Sequence, residues 1–219
     1  MTKILYTGSL DLSSIQEELK ACDVVIDSIR FIETMGIDTD YNHQEFEWVF
    51  FNSKESVRYF FQHFAHPPQV KYAAVGHGTA ELAAKHVSIS FIGKNADTEN
   101  VGREFAEIVG NATVLFPISS ISKRSVQRAL PSKQCIDFIC YHTSPVARKV
   151  EHYKTAIFSS PSNIDGFLME NKPRQIENIV CYGATTAHRA LKAGFSGIYT
   201  LKEITPSSIL KAIKETIAC

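Results

Sequence analysis

Residues 51–60 read FNSKESVRYF and residues 75–80 read VGHGTA, and both stretches recur 107 residues later as FSSPSNIDGF and YGATTA. Across these blocks and the helix starts that follow, eight aligned positions are identical, where composition alone gives roughly two. The repeat predicts two related halves. Because two copies are too few for a solenoid, we expect two similar domains with a cleft between them, a common place for a ligand site.

Short apolar runs alternate with helical patterns along the whole chain. Runs such as Trp48–Phe51 and Ile179–Cys181 are typical of buried strands, and each leads through a polar turn into a helix. A further helix is expected near residues 124–130. Because strands that alternate with helices indicate parallel sheets, the predicted fold class is α/β with mostly parallel, doubly wound sheets.

Charge and composition exclude several classes of protein. The 219 residues carry 23 Lys and Arg against 23 Asp and Glu, so the formal net charge of zero excludes a general polyanion or nucleic-acid binder. No apolar run approaches the roughly 18 residues that span a membrane, and the first residues do not form a signal peptide. Five cysteines without close pairs argue against a disulfide framework, so we expect a cytoplasmic protein.

Small polar turns follow the repeated strands, where ligands bind in parallel sheets. These turns are Asn52-Ser53, Gly76–Thr79, Ser159-Ser160 and Gly183–Thr186, and each stands next to a predicted helix N-terminus. Free backbone N–H groups there favour anions. The alternative is that Asn52, Thr79 and Ser160 only cap helices.

Other chemical motifs are weak. The spacing Gly76-x-Gly78-x-x-Glu81 lacks the third glycine of a dinucleotide site, and His63 and His66 have no third metal ligand nearby. We therefore expect neither a cofactor nor a metal. Tyr141 ends the predicted strand 138–140, where a phenol can pass a proton to a leaving hydroxyl; the alternative is an amphipathic residue at a domain edge.

Taken together, these residues resemble the uroporphyrinogen-III synthase family. In that family a strand followed by Phe-Thr-Ser-Pro and then Ile-Gly-x-x-Thr-Ala occurs twice. The matching stretches here are residues 51–57 and 75–80, then 158–164 and 182–187, with Leu115-Phe116-Pro117, Lys123-Arg124 and Tyr141-His142-Thr143 between the copies. The resemblance runs in order over essentially the whole chain. The departures are Lys54 in place of proline, Glu55 in place of arginine, and Ile118-Ser119 after Leu-Phe-Pro.

The resemblance implies an architecture and a reaction. Two similar doubly wound parallel-sheet domains are joined by a two-stranded linker, with residues 1–34 plus 146–219 in the first domain and 35–145 in the second. The enzyme would be a cyclising hydro-lyase of haem biosynthesis that needs no cofactor. It closes the linear tetrapyrrole hydroxymethylbilane to uroporphyrinogen III, with loss of water and inversion of ring D.

The resemblance also implies site residues and partners. Tyr141 would assist the departure of the hydroxyl group. The partners expected are the substrate and the upstream bilane-forming deaminase, with no nucleic acid and no membrane, and the protein is expected to be a monomer. The substrate-binding residues implied are Asn52, Ser53, Gly76, Thr79, Ser119, Lys123, Arg124, Ser159, Ser160, Gly183, Thr185 and Thr186.

Two alternatives from other classes remain open at this point. A two-domain small-ligand binding protein of the periplasmic-binding type would also have two α/β lobes and a hinge, although it would need a secretion signal. A two-lobed enzyme similar to a glycosyltransferase would need a nucleotide-diphosphate site with paired basic and acidic residues, which the sequence does not offer.

Overall fold

The computed structural model describes residues 1–38, 44–94 and 97–217. The chain divides into two compact units. The first unit comprises Met1–Glu33 and Ser144–Cys219, and the second unit comprises Thr34–Thr143. Each unit contains one sheet with helices on both faces, which confirms the α/β class with two parallel sheets.

The elements follow one another in the alternation that the sequence predicts. The strands are β1 (Thr2–Tyr6), β2 (Val24–Ser28), β3 (Ile32–Gly36), β4 (Trp48–Phe51), β5 (Lys71–Ala74), β6 (Phe91–Ile92), β7 (Val114–Ser119), β8 (Cys135–Pro145), β9 (Tyr153–Phe158), β10 (Ile176–Cys181) and β11 (Ile198–Thr200). The α-helices are α1 (Gln16–Ala21), α2 (Lys54–His63), α3 (His77–Ala83), α4 (Thr98–Val109), α5 (Pro161–Leu168), α6 (Gly183–Lys192) and α7 (Pro206–Ile217).

The sheet of the first unit has the order β11-β10-β9-β1-β2, and all of its pairings are parallel. Phe158 and Phe167 pack on the face covered by α5 and α6, whereas Ile4 and Ile209 pack on the face covered by α1 and α7. Both faces are apolar because helices cover both. Each such buried side chain contributes roughly 1.5–3 kcal/mol of transfer free energy.

The sheet of the second unit has the order β3-β8-β7-β4-β5-β6. On one face, which α2 and α3 cover, Phe60 of α2 packs with Phe51 of β4, and on the other face Phe105 of α4 packs with Phe50 of β4. Strands β4 to β8 pair in parallel. The order β6-β5-β4-β7-β8 therefore reproduces β11-β10-β9-β1-β2, which explains the sequence repeat.

The two units are circular permutations of one topology. In the second unit the strands β7 and β8 come last along the chain, whereas their counterparts β1 and β2 come first in the first unit. The second unit is thus inserted between two pieces of the first. The helix expected near residues 124–130 was wrong, since that segment contains only a 3₁₀ turn at Gln127–Ala129.

The described residues contain neither a membrane-spanning helix nor a metal-binding cluster. Among the described helices, none has both the length and the apolar character to cross a membrane. Within residues 1–38, 44–94 and 97–217, no three His, Cys, Asp or Glu side chains are grouped so that they could hold a metal ion.

Candidate functional site

A β-bulge decides where the Tyr141 side chain points. Ile118 pairs with Ile139, but Ser119 pairs with Tyr141, so Cys140 is an extra residue on β8. Regular alternation would send Tyr141 to the face of α4, whereas the bulge keeps it on the face of α2 with Cys140. Because β8 continues to Pro145, Tyr141 lies within a strand, and its predicted place at a strand end was wrong.

The Tyr141 hydroxyl is buried and bonded to side chains. Its ring is 6% exposed, and its oxygen lies 3.1 Å from Ser53 Oγ. Burial raises the pKa of the phenol, and the Cys140 and Glu55 side chains raise it further, while hydrogen bonds with Ser53 and Ser119 lower it. The net shift is upward, so Tyr141 is neutral and carries its proton at neutral pH.

Ser53 joins Tyr141 to the start of α2. Its Oγ accepts the backbone N–H of Ser56 at 3.0 Å, and Ser56 Oγ accepts the backbone N–H of Ser53 at 3.1 Å. This capping box makes Ser53 the N-cap, so the alternative that Asn52 caps the helix was wrong. When Ser53 donates its own proton to Tyr141, the phenol proton is available to a substrate oxygen.

The first turn of α3 lies beside the first residue of α2. Gly76 is the N-cap in extended conformation, and Thr79 is buried, with its N–H bonded to the Gly76 carbonyl. A Cβ on Gly78 would stand 3.3 Å from Lys54 Cε. The Lys54 side chain therefore reaches the Gly76–Thr79 turn and brings a positive charge to it. From the sequence, Lys54 was identified only as a departure from the family pattern.

The arginine of the basic pair lies apart from Tyr141. Arg124 has a positive φ of 52°, and its Nε binds Asp137 Oδ2 at 2.6 Å. Asp137 pairs with Phe116, three residues before Ser119 on β7 and so about 10 Å along the sheet from Tyr141. Lys123 is exposed, and its carbonyl accepts a hydrogen bond from an arginine. In this structure Arg124 is bound to Asp137 and does not reach Tyr141.

In the first unit the equivalent polar turn follows β9. Ser159 Oγ donates to the Thr7 carbonyl at 3.0 Å and accepts Asn163 Nδ2 at 3.2 Å. Ser160 caps α5 by accepting the N–H of Asn163, with proline in the first helical position. Both serines are half-buried, so each hydroxyl holds the turn together and remains reachable from solvent.

The first turn of α6 places two neighbouring threonines in different environments. Gly183 has a φ of +78°, which glycine adopts without strain. Thr185 is exposed, whereas Thr186 is buried and its hydroxyl donates to the Tyr182 carbonyl at 3.1 Å. Because the Thr186 proton is already committed, Thr185 is the better donor to a carboxylate.

The sequence reasoning missed two aromatic residues at these sites. Tyr59 stacks on Tyr141, and Tyr182 shares a hydrogen bond of 2.9 Å with Tyr6, where burial raises the pKa of both phenols. The repeat could have pointed to Tyr59, because the two copies differ there: a large aromatic residue in the first copy aligns with Gly166 in the second.

Known proteins resemble this chain in sequence pattern and in fold. The family model described as "Uroporphyrinogen-III synthase HemD" matches residues 17–211. A uroporphyrinogen-III synthetase from Helicobacter pylori is 15% identical at a TM-score of 0.70, with 98% of this chain and 99% of that chain covered. A mutant uroporphyrinogen III synthase from Thermus thermophilus is 9% identical at a TM-score of 0.59, with 100% and 99% covered. Among curated proteins, none matches the chain.

Proposed function

Since the chain belongs to the uroporphyrinogen-III synthase family, we propose which of its residues carry out the cyclisation of hydroxymethylbilane to uroporphyrinogen III. The resemblance stated from the sequence is confirmed, and the chain is a cyclising lyase of tetrapyrrole biosynthesis. The binding-protein and glycosyltransferase alternatives are set aside, because the family model spans most of the chain.

The reaction sets two tasks for the protein. Water must leave the hydroxymethyl carbon to give an azafulvene, and ring D must then attack through its substituted α-carbon to give a spiro intermediate that fragments and recloses. The bilane also closes unaided, without inversion, to the type I isomer. The protein must therefore hold the less accessible carbon near the electrophile, a task of orientation.

We propose that Tyr141 protonates the departing hydroxyl. The C–O bond breaks as the phenol proton moves to the leaving oxygen, and the pyrrole N–H proton that is then lost restores the phenol. Tyr141 is neutral at neutral pH and so holds a proton to donate, while burial makes the phenol a weaker acid, so the donation depends on stabilisation of the phenolate that it leaves. The contact with Ser53 is the single observation that carries the proposal, since a serine hydroxyl can stabilise the transient phenolate.

We propose that the polar turns bind the substrate carboxylates through hydroxyl groups and helix N-terminal N–H groups. Lys54 adds a charge beside the Gly76–Thr79 turn, and Arg124 contributes only if it exchanges Asp137 for a substrate carboxylate. The turn residues proposed are Asn52, Ser53, Gly76, Thr79, Ser119, Ser159, Ser160, Gly183, Thr185 and Thr186, with Lys123 beside Arg124.

We further propose that the two units are the predicted domains, that the protein acts as a monomer in the cytoplasm, and that it receives its substrate from the bilane-forming deaminase. Free thiols at Cys22, Cys135, Cys140 and Cys181 support a reducing compartment. The spontaneous closure of the bilane supports direct supply, because delay produces the wrong isomer.

A coupled assay tests the proposed function. Hydroxymethylbilane is generated in situ, the protein is added, the products are oxidised, and the type I and type III porphyrins are separated by chromatography. We expect mostly the type III isomer. Type I alone, as in a control without protein, would contradict the proposal.

A further inference from the structure

We propose that Tyr59 is a positioning residue that holds the Tyr141 ring in place through an aromatic stack braced against β3. The inference rests on the proposed role of Tyr141, since Tyr59 acts through that residue and not on the substrate. Three observations carry it: the stack itself, the contacts on the far side of Tyr59, and the absence of this arrangement in the other unit.

The two rings lie nearly parallel. Their centroids are 5.0 Å apart and their planes differ by 14°. Such parallel ring pairs are stabilised beyond the effect of the apolar area that they bury. Tyr59 therefore closes one face of the Tyr141 ring, while Ser53 holds only the hydroxyl of Tyr141.

The far side of Tyr59 is fixed by the backbone and a side chain of β3. Its hydroxyl donates to Thr34 Oγ1 at 3.1 Å. A Cβ on Gly36 would stand 3.1 Å from the Tyr59 ring, closer than most side chains tolerate, so the glycine lets the ring lie against the strand. Tyr59 is thus held between β3 and Tyr141, and its position does not depend on the stack alone.

The first unit shows that the fold itself does not require this pair. There the position aligned with Tyr59 is Gly166, and the residue packed against it is Phe31. Phe31 follows β2 and is fully buried on the face of α5, as Tyr141 is buried on the face of α2. In the first unit, a phenylalanine packed against a glycine is enough to fill this place. The two stacked tyrosines of the second unit are therefore not required for packing, and we infer that they position the hydroxyl of Tyr141.

Kinetic variants test the inference. We expect Tyr59→Leu to lower kcat for type III formation by about tenfold or more, with KM within about twofold, because a displacement near 1 Å can reduce a rate by about 10²-fold. Tyr59→Phe keeps the stack and loses the bond to Thr34, as does Thr34→Val. These two variants should give the same kcat, between wild type and Tyr59→Leu.

A matched control lies on the same helix. Phe61 stacks on His86 with centroids 4.2 Å apart and also contacts the rings of Phe51 and Phe60. Phe61→Leu therefore removes a ring from α2 and leaves the Tyr59–Tyr141 pair in place. It should leave kcat unchanged. The double variant Tyr59→Leu/Tyr141→Phe should be no slower than Tyr141→Phe alone, because Tyr59 acts through the hydroxyl that is then missing.

A spectroscopic readout separates this inference from the proposed reaction. The alkaline absorbance titration of each protein, minus that of its Tyr141→Phe counterpart, reports the pKa of Tyr141. Tyr59→Leu should move that pKa down toward the ordinary tyrosine value of about 10, and Phe61→Leu should not. Additive kinetic effects in the double variant, or an unmoved titration, would overturn the role of Tyr59. Absence of type III product with the wild type would overturn the proposed function, while the titration would still report on the stack.

Discussion

Removal of the Tyr141 hydroxyl is the most direct perturbation of the proposed reaction. Tyr141→Phe keeps the ring, its stack on Tyr59 and its burial. The lost contact with Ser53 is a neutral hydrogen bond, worth about 0.5–1.5 kcal/mol net. Because phenylalanine also escapes the desolvation of the hydroxyl, the free energy of unfolding should fall by about 1 kcal/mol at most.

The expected kinetic effect is much larger than the effect on stability. A positioned general acid contributes about 10²–10⁴-fold to a rate. The hydroxyl of the bilane also departs unaided, so we expect the lower end, a loss of about 10²-fold in kcat. Binding through the polar turns is untouched, and the KM for the bilane should change little.

Tyr72 supplies a matched control. It is 3% exposed on the same face of the same sheet, and its hydroxyl donates to the Pro68 carbonyl at 2.8 Å. Burial raises its pKa to about 12, so Tyr72→Phe removes a phenol of similar character. The two variants should lose similar stability in urea unfolding, but only Tyr141→Phe should lose turnover.

The assay is the coupled formation of type I and type III porphyrins, followed over time with each variant. With Tyr141→Phe the type III fraction should fall as spontaneous closure overtakes the slowed enzyme. A variant that kept the wild-type rate and isomer ratio would refute the reasoning, because the phenol proton would then have no part in the reaction.

Thr185→Val should raise KM with little change in stability, whereas Thr186→Val should lower the melting temperature by the loss of about 1 kcal/mol, since only the second hydroxyl bonds the backbone; the reverse pattern would be inconsistent with their exposure. Gly166→Ala should lower the free energy of unfolding in urea by more than about 1 kcal/mol, because the added Cβ would clash with the Phe31 carbonyl. Helix propensity alone would favour alanine at this position, so a gain in stability would contradict the packing. Buried phenols with raised pKa values, such as Tyr182, favour the folded state fully below their unfolded value near pH 10 and lose that contribution as pH rises through the folded value. The free energy of unfolding should therefore drop above about pH 10, and Tyr182→Phe should lessen the drop; an equal drop in the variant would argue otherwise.

The repeat carries most of what the sequence predicts about the fold. Strand β4 was predicted at its observed bounds, and Ser160 with Pro161 was predicted to begin α5, as it does. These predictions succeed because period and capping are local properties of the chain. The doubled strand order follows from the same repeat.

The orientation of Tyr141 could not be predicted in this way. A β-bulge adds one residue to a strand and needs no particular residue type, so the sequence of β8 does not indicate that Cys140 is the extra residue. The contact of Tyr141 with Ser53 joins residues 88 apart in sequence. Likewise, the ion pair of Arg124 with Asp137 depends on a left-handed backbone position that nothing in the sequence marks.

The insertion of one unit within the other has a consequence for synthesis on the ribosome. Residues 34–143 emerge as one continuous piece and can fold before the rest of the chain is made. Strand β1 lies between β2 and β9, and β9 ends only at Phe158. At about 5–20 residues per second, Ile4 and Leu5 wait on the order of ten seconds before that neighbour covers them. During this interval the apolar side chains of β1 lack their neighbouring strand, so the incomplete first unit is the part of the nascent chain that most needs chaperones.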